Sequence, residues 1–154
     1  MNVNTLVIQF AFGFCGTVGF GILFSVPRRA LFLSGLVGAL GTLLRSMCQQ
    51  LGASTELADF AAAFTVGLVG YGAAFVIESP RMVYTVPGVI TMVPGILAYQ
   101  IIVYFSTARF NDGLTAGVQV FLLTGSLAAG LVTARTITEA LKRPKPDDYV
   151  MNDD

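Results

Sequence analysis

The chain of 154 residues is 55% hydrophobic and only 12% charged, with a mean hydropathy of +0.74, whereas soluble domains carry about 25% charged residues. Such a composition excludes a soluble domain and predicts an all-α integral protein of the lipid bilayer. The formal net charge of +0 argues against nucleic acid, and the absence of histidine removes the usual general base and the commonest metal ligand.

A helix crossing about 30 Å of hydrocarbon needs roughly 20 apolar residues. Charges fall in small clusters, and the intervals between them predict five spans at about 5–26, 30–52, 56–78, 82–106 and 112–136, then a flexible cytoplasmic tail over 142–154. The first span has no Lys or Arg before it, so it lacks the positive region of a cleaved signal and reads as permanent. It contains Gly13, Gly16 and Gly19, and the second contains Gly35, Gly38 and Gly41. Glycine at every third place gives each helix one smooth face on which another helix backbone can approach closely. These faces, with Gly67, Gly70, Gly72, Gly117, Gly125 and Gly130 further on, suit internal packing or a second subunit, including another copy of the chain. Cys15 and Cys48 are isolated thiols that read as small packing residues.

The second span reaches about Gly52 only by continuing past Arg45, whose side chain either snorkels to the interface or offers its planar fork to a carboxylate. Thr55 stands where an N-cap belongs at the start of the third span, and Glu56 and Asp59 share a face in its first turns. Three roles fit those carboxylates: complementing the helix dipole, relaying protons, or pairing with Arg45 across the short turn. Glu78 and Arg81, three apart at the next turn, read as gate residues or as a weak exposed ion pair. Arg109 and Asp112 read as an outer turn ending in a helix cap.

Thr85 to Gln100 reads TVPGVITMVPGILAYQ, an apolar stretch with Pro-Gly twice. A proline inside a helix removes one backbone donor at a cost of about 3 kcal/mol, and the following glycine adds about 1 more. Pro87 would deprive the carbonyl of Val83, and Pro94 that of Ile90. Backbone groups freed at membrane depth are tolerated only against protein or a watery cavity, and broken helices of this kind lie at substrate sites in transporters. This predicts a fourth span kinked or broken around Pro87, Gly88, Pro94 and Gly95, with Thr91, Tyr99 and Gln100 as the nearest hydrogen-bonding side chains. Packing kinks without a ligand are the alternative. Gln9 and Gln119, like Gln100, should face protein or water.

Arg28, Arg29, Arg81, Arg135, Lys142, Arg143 and Lys145 gather at one side of the five spans. The positive-inside rule then sets the C-terminus in the cytoplasm and the N-terminus outside.

The run VPGVITMVPGILAYQ resembles the signature of the threonine/serine exporter (ThrE) family, in which apolar residues end in Val-Pro-Gly and a Tyr follows. The short length, Arg45 near the end of span two, and the alanine-rich start of span three are similar to the family's separate small membrane subunit, the YjjB type. The likeness runs from about Leu6 to Glu139. It implies export of a small carboxylate-bearing metabolite, threonine, serine or a dicarboxylate such as succinate, across the bacterial inner membrane. It also implies a larger membrane subunit as partner, and no cofactor. A structural or accessory subunit that assembles such a complex is the alternative function. An intramembrane enzyme is disfavoured, because no nucleophile and base stand at useful spacing.

Overall fold

The computed structural model describes residues 3–141; the tail expected over 142–154 lies outside them. Among the described residues the chain forms six helices: α1 Val3–Leu23, α2 Arg28–Gln50, α3 Thr55–Val76, α4 Met82–Ile90, α5 Gly95–Ser106 and α6 Phe110–Leu141. α1, α2, α3 and α6 are each long and apolar enough to cross a membrane. α4 and α5 together make a fifth crossing, bent by 46° at the break between them. The fold is therefore the expected all-helical bundle of about five spans, with the fourth broken between its two Pro-Gly pairs.

Four helix ends close in one way. Ser25, Gly52, Glu78 and Ala108 each take a positive φ, between 50° and 87°. The next amide then donates to the carbonyl five residues back: Val26 to Gly21 (2.9 Å), Ala53 to Cys48 (3.0 Å), Ser79 to Ala74 (3.2 Å) and Arg109 to Tyr104 (2.9 Å). This is the Schellman closure, which pairs carbonyls that the helix end would otherwise leave open. At the start of α3, Ser54 rather than Thr55 is the N-cap, its hydroxyl accepting from the Leu57 amide.

α2 and α4 form the centre, with α1 on one side and α3 on the other; α6 packs on α3, and α5 lies against α6. Small residues set these approaches. A methyl group at Gly38 would overlap Thr17 of α1, and one at Gly88 of α4 would lie 3.5 Å from the Gly38 Cα, so three helices meet at one point. At Gly130 the crowding is against backbone, the Phe60 carbonyl of α3. Gly19, Gly72, Gly117 and Gly125 instead face open space. Of the smooth faces read in the sequence, α2's is wholly used inside the chain, while those of α1, α3 and α6 are used in part. Cys15 is exposed, contrary to its reading as a buried packing residue.

Candidate functional site

α4 is short because the chain changes its hydrogen bonding before Pro94. The Met92 amide donates to Val89 (2.9 Å) and the Val93 amide to Ile90 (3.2 Å), the tighter three-residue pattern. Pro94, at φ −76° and ψ 64°, forms an inverse γ-turn in which the Gly95 amide donates to the Val93 carbonyl at 2.7 Å. The Thr91 hydroxyl donates to the Gly88 carbonyl at 2.8 Å, and α5 then restarts at Gly95.

Both carbonyls that the prolines deprive of helical donors have replacements. Val83 accepts from the Ser34 hydroxyl of α2 at 3.2 Å, and Ile90 accepts from the Val93 amide. The sequence expectation of free carbonyls at this depth is corrected accordingly. Among the described residues, the Thr17 and Tyr84 hydroxyls are buried with no hydrogen-bond partner.

The break is walled by named contacts. Pro87 and Gly88 are buried, and Thr91 is half-buried with its methyl toward Gly16 of α1. Met92 is buried against Gly41 of α2 and Val66 of α3. Those same two helices carry Arg45, one turn beyond Gly41 on α2, and Asp59, two turns from Val66 on α3. The Arg45 Nη2 donates to Asp59 Oδ2 at 3.2 Å, and its Nε lies beside Oδ1. The Asp59 side chain is fully buried and that of Arg45 is 25% exposed. Of the three roles open to Asp59, pairing with Arg45 is the one that the structure displays. Glu56 is half-buried, one turn nearer the start of α3.

Tyr99 and Gln100 are carried away from this cluster by α5, which has no buried residue; Tyr99 is 66% exposed and Gln100 half-buried. Pro94 is half-buried and Gly95 exposed at the bend itself. The structure thus brings Pro87, Gly88 and Thr91 together at the break, sets Arg45 one turn beyond Gly41 on α2, and leaves Tyr99 and Gln100 on the outer limb.

At the opposite end of the bundle, Arg81 pairs with Glu139 (3.2 Å), not with Glu78, and lies 5.4 Å over the Tyr71 ring. The physical reason is the closure at Glu78, whose positive φ turns the chain there. Glu139 also accepts from Arg135 at 2.8 Å. Sequence reasoning missed Glu139, Met92 and Ser34. Only Ser34 carried a signal, standing four residues before Gly38 on the small-residue face. Arg109 and Asp112 pair with each other at 2.7 Å beside the start of α6.

No solved structure matches the chain. The family model described as Threonine/Serine exporter, ThrE, matches residues 9–137, which include both Pro-Gly pairs, Arg45 and Asp59. The chain is a multi-pass membrane protein and belongs to the threonine/serine exporter family.

Proposed function

We propose that the chain is a membrane subunit of a secondary exporter for small carboxylate-bearing metabolites, threonine and serine first and a dicarboxylate such as succinate second, acting with a larger subunit. The substrate passes the break of the fourth span. Pro87, Gly88, Thr91, Pro94 and Gly95 shape the passage and Arg45 meets the carboxylate, while Tyr99 and Gln100 line its outer limb. Glu56 and Asp59 serve coupling, and Glu78 and Arg81 gate the other end. The N-terminus is outside and the C-terminus cytoplasmic in the bacterial inner membrane. Arg28, Arg29, Arg81 and Arg135 then lie at the cytoplasmic ends of their helices.

One observation carries this reading: a membrane span broken between two helices that hold an ion pair, with Asp59 fully buried, one to two turns beyond the break. Ionisable groups inside a membrane are expensive and mark substrate or ion paths. The test is transport of labelled threonine and succinate into proteoliposomes by the chain alone and with its larger companion. Transport by the pair that fails on Gln100→Ala, with the complex intact, supports the path. Equal transport by the companion without this chain overturns it.

A second reading, an accessory subunit that only assembles the complex, draws on the open glycines Gly117 and Gly125 of α6. It expects Pro87→Ala and Pro94→Ala to harm assembly but not substrate preference.

A further inference from the structure

Asp59 has no exposed side-chain surface although it stands only four residues from the start of α3. Arg45 stands roughly 25 Å along α2 from Arg28, and Asp59 roughly 18 Å along α3 from Tyr71, the ring beneath Arg81. Against a hydrocarbon core of about 30 Å, these lengths set the pair toward the end of the bundle away from Arg28 and Arg81, about one turn inside the ends of α2 and α3. Stability does not demand it. Well-packed apolar residues hold helices together as well as, or better than, a buried ion pair. The glycine contacts at Gly41 and Gly130 already bring α2, α3 and α6 together.

We propose that Arg45 and Asp59 form the recognition couple for a zwitterionic α-amino acid, an inference that rests on the transport reading above. The substrate carboxylate replaces Asp59 on the Arg45 fork, and the substrate ammonium replaces Arg45 at Asp59. Two parallel contacts, Nε to Oδ1 and Nη2 to Oδ2, close the empty pair. An α-amino acid carries its ammonium and carboxylate groups on one carbon, so it inserts between these groups as one unit. Every charge stays compensated through the exchange, which a buried site requires. The partial exposure of Arg45 gives the carboxylate its point of entry, and Asp59 lies beneath. A dicarboxylate satisfies Arg45 but sets its second carboxylate against Asp59, with Glu56 three residues away on the same face. The couple therefore selects amino acids over dicarboxylates.

The experiment measures efflux of preloaded, labelled L-threonine and succinate from cells that carry the chain with its native companions, with chain-deleted cells as reference. Asp59→Asn is expected to lower threonine efflux by about tenfold or more and to narrow the preference for threonine over succinate. The neutral pair Arg45→Gln with Asp59→Asn is expected to reach the membrane in normal amount and export no faster than the deletion. Wild-type efflux by that double variant overturns the inference and leaves the transport reading standing. Undiminished efflux from chain-deleted cells overturns the transport reading, and the inference with it. Competition on the unaltered protein covers variants that fail to fold. L-serine should compete with threonine, whereas N-acetylthreonine, without an ammonium, and threonine methyl ester, without a carboxylate, should not. Competition by either blocked analogue as strong as that of L-serine overturns the couple.

Discussion

The Ser34 hydroxyl of α2 donates to the Val83 carbonyl of α4 at 3.2 Å, replacing the amide that Pro87 took away. A helix defect is thereby turned into a tie between two helices. Removing the hydroxyl by Ser34→Ala leaves a part-buried carbonyl short of its donor, which costs about 1 kcal/mol. In a Pro87→Ala background the amide of residue 87 returns to Val83, so the same Ser34 change should cost less. Thermal unfolding of the four proteins in detergent checks this; equal costs in both backgrounds would refute the replacement.

The glycines of α6 divide by what faces them. At Gly130 an added methyl would meet the Phe60 carbonyl and lie 3.0 Å from the Phe64 amide nitrogen, backbone that cannot yield. Gly130→Ala is expected to destabilise the chain by about 2–3 kcal/mol. At Gly125 nothing is in reach, and Gly125→Ala should raise the isolated chain's stability by up to about 1 kcal/mol through helix propensity. Chemical unfolding of the two variants side by side reads the contrast. Loss of companion binding by Gly125→Ala, in a chain of normal stability, would identify that face as an intersubunit contact.

Ala108 holds a φ of 56° at the turn between α5 and α6. Left-handed backbone strains any residue with a Cβ. Ala108→Gly should therefore stabilise the protein by about 0.5–1 kcal/mol, net of the extra entropy that glycine loses on folding. A fall in melting temperature would contradict this account of the turn.

Glu139 is shared by Arg81 and Arg135, and all three side chains are a third exposed or more. Exposed pairs contribute less than about 1 kcal/mol and weaken with salt. Arg81→Gln is expected to cost less than that at low ionic strength and almost nothing in molar salt. A large, salt-independent loss would mean that the Tyr71 contact, not the ion pair, holds Arg81.

The span count was legible in the sequence because charge clusters interrupt apolar runs, and Pro-Gly twice in one run marked the broken span. The pairing of Arg45 with Asp59 was legible only as one choice among three. Fourteen residues and a turn separate them, and periodicity within a helix says nothing of faces across a turn. Free carbonyls at Val83 and Ile90 were expected because helix rules consider one helix at a time. Ser34 lies 49 residues from Val83 in the chain, and that donor belongs to tertiary structure. Gln100 and Tyr99 looked close to the site by counting residues from Pro94. A 46° bend and an outer limb packed on α6 sent them elsewhere.

The break also determines how motion can travel. α4 is gripped by α1, α2 and α3, whereas α5 leans on α6, which in turn leans on α3. Covalent neighbours joined by a four-residue turn are thus mechanical strangers. A push on α5 reaches α4 through that turn, or the long way round through α6 and α3.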